Sequence, residues 1–323
     1  MKPNAVVFFA LGVLAGAPAC VSAQDRYPSK PIQMLVAYST GTTTDILART
    51  FAEKLGPRLG QTVTVQNRPG AGGTIAGQAV ASAAPDGYTI LSVNSSHAIN
   101  PSLYTRLPYD SVRDFAGIAL VAETPYLVVV NPLSGARTLK EFIALAKQKP
   151  GTINYATAGL GTSTHLAGAL FATLAGIELV HVPYKTTPDL VTDLLSNRVQ
   201  ATFVPPAFLL GQIREGKLLA LGVSTAQPLH TPFEVPSVRV ATNLPYEYAA
   251  WFGFMAPAKT PTTIMETLSR AFLQIAEDKD VQEKYRSLGL AMRTLALRDF
   301  EAYVREDMTK LGPLVKASGA KAD

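Results

Sequence analysis

Residues 32–59 read IQMLVAYSTGTTTDILARTFAEKLGPRL, and this stretch decides the fold class. Its first part, residues 32–38, is an apolar run too short for a helix, so it predicts a buried β-strand. Its last part, residues 45–59, carries Leu47, Phe51 and Leu55 at helical spacing and predicts an α-helix. A strand that leads through a short polar loop into a helix is the repeating unit of α/β proteins.

The same unit recurs along the chain. Before residue 126, the pattern predicts strands at residues 62–66 and 88–93 and a helix at residues 73–84. From there on, the predicted strands are residues 126–130, 154–157, 179–182, 201–203 and 218–224, and the predicted helices are residues 139–149, 165–175 and 188–196. Such alternation is typical of parallel sheets with crossover helices.

The length of the chain predicts two domains, because 323 residues exceed what a single core usually holds. The apolar segment 251–255 is predicted to be a strand that returns to the first domain. After it we expect only helices, at residues 262–277, 281–288 and 299–316, packed on the first sheet. The predicted first domain is therefore residues 24–125 plus 249–323, and the second is residues 126–248.

The N-terminus has the pattern of a secretory signal peptide. Lys2 precedes an apolar stretch at residues 6–15, and Val21-Ser22-Ala23 predicts cleavage after Ala23, so we expect residues 1–23 to be removed and the protein to reach the periplasm. A membrane anchor and a lipoprotein acylated at Cys20 are the alternatives. Cys20 is the only cysteine, so the predicted mature chain has no disulfide and no cysteine nucleophile.

The charge is mildly basic and evenly spread. There are 29 Lys and Arg against 24 Asp and Glu, a net charge of +5 without any run of basic residues. A nucleic-acid-binding surface would cluster these residues, so we expect no nucleic acid partner. A small positive excess does suit the attraction of small anions.

The sequence contains none of the common catalytic motifs. It has no Gly-x-Ser-x-Gly and no His-Glu-x-x-His, and its four histidines are far apart in the chain. Ser163 beside His165 is a poor nucleophile and base pair, because side chains at that spacing on a helix start diverge. We therefore expect a binding protein rather than an enzyme, with no metal and no cofactor.

The loop at residues 38–45 joins the first predicted strand to its helix and is rich in hydroxyl groups. A helix N-terminus attracts anions through unpaired N–H groups and the helix dipole. Plain helix capping by Thr43, Thr44 or Asp45 is the alternative, and we expect Asp45 to be a cap. The candidate binding residues of this loop are Tyr38, Ser39, Thr40, Gly41, Thr42 and Thr43.

The loop at residues 158–165 again joins a strand to a helix. It resembles the start of the dinucleotide pattern Gly-x-Gly-x-x-Gly, but Thr164 stands where the third glycine would be, so we do not expect a nucleotide. The glycines still let an anion approach backbone N–H groups. His165 is either an anion donor or a structural residue. The candidate binding residues are Gly159, Gly161, Thr162, Ser163, Thr164 and His165.

A third loop, Asn67-Arg68-Pro69-Gly70-Ala71-Gly72-Gly73, is also rich in glycine. It is not followed by the Gly-Lys-Ser/Thr of a phosphate-binding loop. We expect it to form a tight turn into the next helix, with Arg68 near the ligand cleft.

Taken together with several short motifs, these loops resemble the substrate-binding receptors of tripartite tricarboxylate transporters, the Bug family. The resemblance extends over essentially the whole predicted mature chain. Its motifs are Tyr27-Pro28-Ser29-Lys30-Pro31-Ile32, the Asn67–Gly73 turn, Pro85-Asp86-Gly87-Tyr88-Thr89, Asn100-Pro101-Ser102-Leu103-Tyr104, Leu107-Pro108-Tyr109-Asp110, Val182-Pro183-Tyr184-Lys185 and Trp251-Phe252-Gly253.

The resemblance implies an α/β fold of the two-domain type II periplasmic-binding-protein kind, with a ligand cleft between the domains and two interdomain crossings. It also implies that the first two loops together hold one carboxylate of the ligand, partly through water. Ser95, Val204 and Pro205 complete the binding residues that we expect.

The implied partners are a small organic carboxylate and a pair of membrane permease subunits, and we expect the receptor to be a monomer. The alternative is a sensing receptor that binds the same ligand and docks on a signalling partner instead of a permease.

The sequence departs from the family pattern in three places. Gly41 is followed by Thr42 instead of a second glycine, and Thr186 stands where a glycine is usual. An acidic residue commonly follows the position of Phe203, whereas here Val204 and two prolines follow. Because a buried ammonium group needs an acceptor, these residues predict an organic acid with an apolar body, such as an aromatic or aliphatic dicarboxylate, rather than an amino acid. The alternative is that Val204 packs in the core and Asp189 supplies the acceptor.

Overall fold

The computed structural model describes residues 27–317 and 321. The predicted signal peptide and its cleavage site lie outside these residues. The strands are β1 Ile32–Val36, β2 Val63–Asn67, β3 Thr89–Asn94, β4 Phe115–Pro125, β5 Leu127–Val130, β6 Ile153–Thr157, β7 Leu179–Pro183, β8 Ala201–Val204, β9 Leu219–Val223, β10 Ala249–Pro257 and β11 Ala291–Ala296. The helices are α1 Thr43–Leu59, α2 Thr74–Ala81, α3 Ser96–Leu103, α4 Leu139–Gln148, α5 Ser163–Ala175, α6 Thr187–Leu195, α7 Leu210–Arg214, α8 Val238–Thr242, α9 Thr262–Ala276, α10 Lys279–Ser287 and α11 Leu297–Ala317.

The strands form two sheets. The six-stranded sheet has the order β11-β4-β10-β3-β1-β2, and the five-stranded sheet has the order β7-β6-β8-β5-β9. Strands of the first sheet come from both ends of the described chain, whereas those of the second come only from its middle. This is the two-domain α/β architecture that the sequence predicts, with a first domain built from two separate segments.

Both sheets are mixed, and each combines the parallel pairs that strand–helix alternation predicts with antiparallel pairs that it does not. β1 runs parallel to β2 and β3, and β6 runs parallel to β7 and β8, as the strand–helix alternation indicates. β10 pairs antiparallel with both β3 and β4, and β5 pairs antiparallel with β8 and β9. Strands β4 and β5 flank the point where the chain passes from the first sheet to the second, and β10 is the strand on which it returns.

The C-terminal segment is not purely helical. Strand β11 lies at the edge of the first sheet and pairs antiparallel with β4, in addition to the three helices that we predicted there. Its burial pattern, exposed or half-buried at every position, hides it from a search for apolar runs. Helices α9 and α11 do pack against β4, as expected for a tail that completes the first domain.

Aromatic side chains fill the cores beneath each binding loop. In the first domain, Phe51 of α1 packs on Phe254 and Phe272, with ring centroids 5.2 and 5.5 Å apart. In the second domain, Phe171 of α5 packs on Phe203 at 5.3 Å. Burial of each such side chain contributes on the order of 2 kcal/mol. Both loop-bearing helices are therefore fixed to their sheets.

The chain crosses between the domains at Tyr126 and again at Tyr248, and Ser224 links the two crossings. Its Oγ accepts a hydrogen bond from the Tyr126 N–H at 2.7 Å and donates one to the Tyr248 carbonyl. Its backbone also bonds both residues, donating to the Tyr126 carbonyl and accepting from the Tyr248 N–H. The rings of Tyr126 and Tyr248 meet edge to face at 5.1 Å.

Among the residues that the structure describes, no helix combines the length and the apolar character needed to cross a membrane.

Candidate functional site

The first loop is closed by three local hydrogen bonds at the start of α1. Thr42 caps the helix: its Oγ1 accepts from the Asp45 N–H at 3.4 Å and donates to the Ser39 carbonyl at 2.9 Å. Gly41 adopts φ 83°, a left-handed conformation that favours glycine, and its N–H donates to Asp45 Oδ2 at 3.0 Å. These bonds fix the loop to the first turn of α1.

Asp45 has a structural role in this loop, but the N-cap of α1 is Thr42 and not Asp45 as predicted, because the Thr42 hydroxyl is the group that accepts from the first helical turn. Burial would raise the pKa of its carboxyl, but hydrogen bonds from Arg49, the Gly41 N–H and Asn67 outweigh burial and hold that pKa below its usual range. Arg49 Nε lies 3.1 Å from the carboxylate, and Asn67 Nδ2 lies 2.8 Å from it. The negative charge is therefore compensated within the loop.

The second loop has the same construction at the start of α5. Thr162 Oγ1 accepts from the His165 N–H at 3.4 Å and donates to the Gly159 carbonyl at 2.7 Å. Gly161 adopts φ 76°, and its N–H donates to His165 Nδ1 at 3.4 Å. Here a neutral imidazole accepts the hydrogen bond that a carboxylate accepts in the first loop.

His165 is not a lone histidine, because it stacks on His181 with ring centroids 4.0 Å apart. His181 Nε2 in turn lies 2.7 Å from Thr157 Oγ1 at the end of β6. Burial lowers the pKa of His165 to about 4, and burial together with the neighbouring His165 lowers the pKa of His181 to about 3. Both rings are therefore neutral near pH 7 and support the loop without charge.

The two loops face each other across an inner cavity between the domains. The cavity leaves about 40 Å³ for the centres of water-sized molecules, which is room for a carboxylate group or about three waters. Residues of the first domain that line it are Tyr38, Thr42, Thr43, Thr44, Asn94 and Phe252, and the others are Tyr126, Ala158, Thr162, Ser163, Thr164, Pro205 and Phe208.

Direct hydrogen bonds join the domains on either side of this cavity. Ser96 Oγ of α3 accepts from the Ser163 N–H at 2.9 Å and lies 3.0 Å from Ser163 Oγ, with both residues buried. Nearer the surface, Ser39 Oγ donates to the Lys185 carbonyl at 3.3 Å. The cleft is thus closed in this structure.

Thr43 presents an unused hydroxyl to the inner cavity. The residue is 5% exposed, and its Oγ1 has no hydrogen-bond partner among the described residues. Burying a hydroxyl without a partner costs on the order of 1–3 kcal/mol. The Thr43 hydroxyl is therefore available to bond a polar group in the cavity.

Asn94 connects the first loop to the interdomain contact. Its Oδ1 accepts from the Tyr38 hydroxyl at 2.8 Å and from the Ser96 N–H at 3.0 Å, while its Nδ2 donates to Thr44 Oγ1 at 3.3 Å. Burial raises the pKa of Tyr38 and of Tyr126, so both phenols are neutral. The polar groups around the cavity can therefore donate hydrogen bonds to an anion without repelling it.

A larger outer chamber adjoins the inner cavity and leaves about 630 Å³ on the same measure. The two spaces share Tyr38, Thr42, Ala158 and Thr162 as common walls. The other lining residues are Ser39, Pro69, Gly70, Ala71, Gly72, Gly73, Tyr104, Gly159, Leu160, Tyr184, Lys185, Thr186 and Thr187. The glycine-rich third loop thus borders the ligand space, while Arg68 does not line it and bonds Gln66 instead.

Of the described residues that line the two cavities, Lys185 alone carries a formal charge. Among the described residues that line these two cavities, none is acidic. Such a cleft favours a ligand with a negative charge and offers an ammonium group no counter-charge.

Six residues that we predicted to bind the ligand do not line either cavity, for identifiable reasons. They are Thr40, Gly41, Ser95, Gly161, His165 and Val204. Gly41, Gly161 and His165 hold the conformation of their loops through the hydrogen bonds described above. Thr40 is exposed and its Oγ1 donates to Asn67 Oδ1 at 3.4 Å.

Ser95 and Val204 are fully buried elsewhere. Ser95 Oγ accepts from the Trp251 N–H at 2.8 Å and so fixes α3 to β10. Val204 pairs with Leu127 in the second sheet and packs in its core. The alternative acceptor, Asp189, lines neither cavity and accepts from Thr186 Oγ1 at 2.6 Å.

Sequence reasoning missed several residues that lie at the site. Asn94, Tyr126 and Phe252 line the inner cavity, and Ser96 bonds Ser163 beside it. Only one sequence signal pointed to them: Asn94 and Phe252 lie in or beside predicted strands, and residues at strand ends border the cleft of open α/β sheets.

The chain is similar to known proteins over most of its length. A family model described as the tripartite tricarboxylate transporter family receptor, TctC, matches residues 47–320. Protein BugT of Bordetella pertussis is 34% identical over 310 residues, which cover 95% of this chain and 94% of that protein.

Solved structures agree in fold. An R. palustris protein with adipate superposes with a TM-score of 0.87 at 29% identity, covering 91% of this chain and 99% of that one. MatC from Rhodopseudomonas palustris with bound malate gives a TM-score of 0.82 at 27% identity, covering 90% and 100% of the respective chains. Because the family model spans most of the sequence, this chain belongs to the TctC, or Bug, family of tripartite tricarboxylate transporter receptors.

Proposed function

We propose that this protein is a periplasmic receptor that captures a small organic carboxylate in the cleft between its domains and delivers it to the permease of a tripartite transporter. The observation that carries the proposal is the inner cavity, where the buried, unpartnered Thr43 hydroxyl and the N-termini of α1 and α5 converge. The solved relatives with adipate and malate support a carboxylate as the ligand class.

In the proposed complex, one carboxylate lies between the two helix starts. Thr43 Oγ1 and Ser163 Oγ donate to it directly or through water, and the dipoles of α1 and α5 add favourable charge from opposite sides. Hydrogen bonds to a charged group contribute about 1.5–3 kcal/mol each. The neutral Tyr38 hydroxyl stays engaged with Asn94 and keeps the wall of the site in place.

Ligand binding is coupled to closure in this proposal. The donors come from both domains, so a carboxylate contacts all of them only when the cleft is shut. We propose domain boundaries at residues 24–125 plus 249–323 and 126–248, with the hinge at the two crossings held by Ser224. Family membership favours a permease over a signalling partner.

The ligand itself is proposed to be an acid with an apolar body rather than an amino acid. Pro205, Phe208 and Phe252 give the inner cavity apolar walls, and an ammonium group would find no carboxylate there. Prior removal of residues 1–23 and export to the periplasm are part of the same proposal.

The test is a thermal-shift and calorimetry screen of the mature protein against dicarboxylates, monocarboxylates, aspartate and glutamate. A true ligand at about 100 times its dissociation constant should stabilise the protein by about 2.7 kcal/mol. We expect shifts with carboxylates and none with the two amino acids. Binding of the amino acids alone, or of no acid at all, would contradict the proposal, and mass spectrometry of a co-purified molecule provides an independent check.

A further inference from the structure

The outer chamber is much larger than a carboxylate needs. It leaves about 630 Å³, against about 40 Å³ in the inner cavity that we assign to the carboxylate. The two spaces share Tyr38 and Thr162 as walls, so they are direct neighbours. Any part of a ligand that is too large for the inner cavity would therefore lie against the lining of the outer chamber.

Most of that lining is apolar or neutral. Tyr104, Leu160 and Ala71 offer hydrophobic surface to the body of a ligand. Lys185 is the exception, because it is the one charged residue among the described residues that line the chamber. A single cation in such surroundings is a recognition element for an anion.

Lys185 is available for this purpose. Within the described part of the chain, none of the ion pairs involves its ammonium group. The two acids that follow it in sequence are occupied: Asp189 accepts from Thr186 at 2.6 Å, and Asp193 accepts from Tyr184 at 2.8 Å and pairs with Arg198 at 3.1 Å. Neither acid lines the chamber.

Closure of the two domains also fixes the position of the Lys185 backbone. Its carbonyl accepts a hydrogen bond from Ser39 Oγ of the first domain, a contact that forms only when the two domains meet. The backbone of Lys185 is therefore held at the chamber in the closed protein, while its flexible stem can adjust to ligands of different lengths.

We propose that Lys185 binds a second anionic group at the far end of the ligand, which makes the receptor selective for diacids over monoacids of the same size. This inference rests on the proposed function, since it takes the first carboxylate to lie at Thr43 and Ser163. Lys185 acts as a point charge, so it selects for the second charge and not for one chain length.

The experiment compares each of succinate, glutarate and adipate with its monomethyl ester, which has nearly the same shape and one charge fewer. Calorimetry is run on the wild type, on Lys185→Met, which keeps most of the stem, and on Lys147→Met. Lys147 is an exposed lysine of the second domain that lies outside the cavities, so its substitution controls for the change in net charge.

We expect Lys185→Met to weaken binding of the preferred diacid by about fivefold to tenfold, since the contact is charged but partly open to solvent. Binding of the monomethyl ester should be unchanged, and Lys147→Met should match the wild type. Equal losses for the diacid and its ester, or no loss for either, would overturn the role of Lys185. A wild type that prefers the monoesters would overturn it as well.

Failure of the proposed function would look different. In that case neither diacids nor monoesters would bind the wild type, and Thr43→Val would change nothing. If the acids bind and Thr43→Val weakens both members of a pair equally while Lys185→Met does not distinguish them, the first carboxylate site stands and the second does not.

Discussion

The loops that begin α1 and α5 share one backbone design and differ in the residue that supports it. The capping residues have nearly the same conformation, φ −73° and ψ 160° at Thr42 against φ −84° and ψ 161° at Thr162. In each loop a glycine N–H is accepted by the residue four positions later. That acceptor is a carboxylate at Asp45 and an imidazole at His165.

The acceptor position, Asp45 or His165, therefore serves the loop and not the ligand. A carboxylate and a neutral ring can replace each other only if the need is for a hydrogen-bond acceptor. Each brings its own support, Arg49 and Asn67 for Asp45 and the stacked ring of His181 for His165. The hydroxyl residues that line the inner cavity, Thr43 and Ser163, lie two positions earlier.

The largest effect should come from acid, and it should fall on the second loop. The unfolded chain takes up a proton at His165 near pH 6.5, whereas the folded chain does so only near pH 4. The stabilising contribution is therefore complete above pH 6.5 and is lost as the pH falls towards 4, about 3 kcal/mol in all. Urea unfolding of wild type and His165→Asn across this range measures it, and the variant should lose less stability.

Two features make this comparison selective. Burial lowers the pKa of His97 to about 4, so His97 also makes the protein less stable as the pH falls. Burial raises the pKa of Asp307 to about 6, so Asp307 has the opposite effect on stability. Only the difference in stability between variant and wild type therefore reports on His165. Asp45→Asn is the matched control in the first loop. Because the pKa of Asp45 is lowered, its contribution is lost only below about pH 4. Parallel curves for wild type and His165→Asn would remove the distinction between the loops.

The next largest effect should be on ligand affinity, on removal of the Thr43 or Ser163 hydroxyl at the inner cavity. Thr43→Val and Ser163→Ala should each weaken carboxylate binding by about tenfold or more, since each removes a donor to a charged group. Thr43→Val should not lower the stability of the free protein and should if anything raise it, because its buried Oγ1 has no partner to lose, whereas Ser163→Ala loses the contact with Ser96. Calorimetry and urea unfolding separate the two, and Thr40→Val, which alters a hydroxyl outside the cavities, should do neither. An unchanged affinity in both loop variants would place the anion elsewhere.

A smaller effect distinguishes the two loop glycines. Alanine at Gly41 or Gly161 should cost about 1 kcal/mol of folding stability, because both have positive φ. A Cβ at Gly41 meets nothing within 4 Å, whereas one at Gly161 lies 3.3 Å from Tyr104 of the first domain. Gly161→Ala should therefore also hinder closure, seen as a larger radius in small-angle scattering with ligand. Equal radii for the two variants would contradict this.

The smallest effect separates the base of the cleft from its rim. Ser96→Ala removes a buried interdomain contact and should weaken ligand binding by about 0.5–1.5 kcal/mol. Ser39→Ala removes a longer, partly exposed contact to the Lys185 carbonyl and should change affinity less than about twofold. A greater loss from Ser39→Ala would mean that closure is held at the rim.

Much of this architecture was predictable because it is local. Both loops that line the inner cavity were singled out from their sequence, since glycine next to hydroxyl residues at a strand-to-helix junction has a direct physical meaning. Gly41-Thr42-Thr43-Thr44 and Gly161-Thr162-Ser163-Thr164 are alike in sequence, and the structure adds that they share a backbone conformation.

The remainder depends on contacts between distant parts of the chain. Ser95 and Ser96 are adjacent, yet one is fixed to β10 and the other meets Ser163 across the cleft, and no local pattern separates them. Val204 is an apolar residue at the end of a strand, and its role turns on whether its side chain faces the core or the cleft. Strand β11 is identified only by its pairing with β4.

The antiparallel pairing of β10 has a similar origin. Strand–helix alternation describes how neighbouring strands connect, and it correctly predicts that β1, β2 and β3 run parallel. It does not tell in which direction a strand returns from the other domain. That direction is set by the path through the crossings, which sequence periodicity does not record.

The hydrogen bonds that join Tyr126 and Tyr248 to Ser224 restrict how the two domains can move. Two independent linkers would let the second domain slide, twist and swing relative to the first. Because both crossings are bonded to Ser224 through its side chain and backbone, we expect them to move together. We therefore expect the domains to rotate about one axis, so that the distance between the two lips of the cleft would tell a partner that contacts both lips how far the cleft has closed.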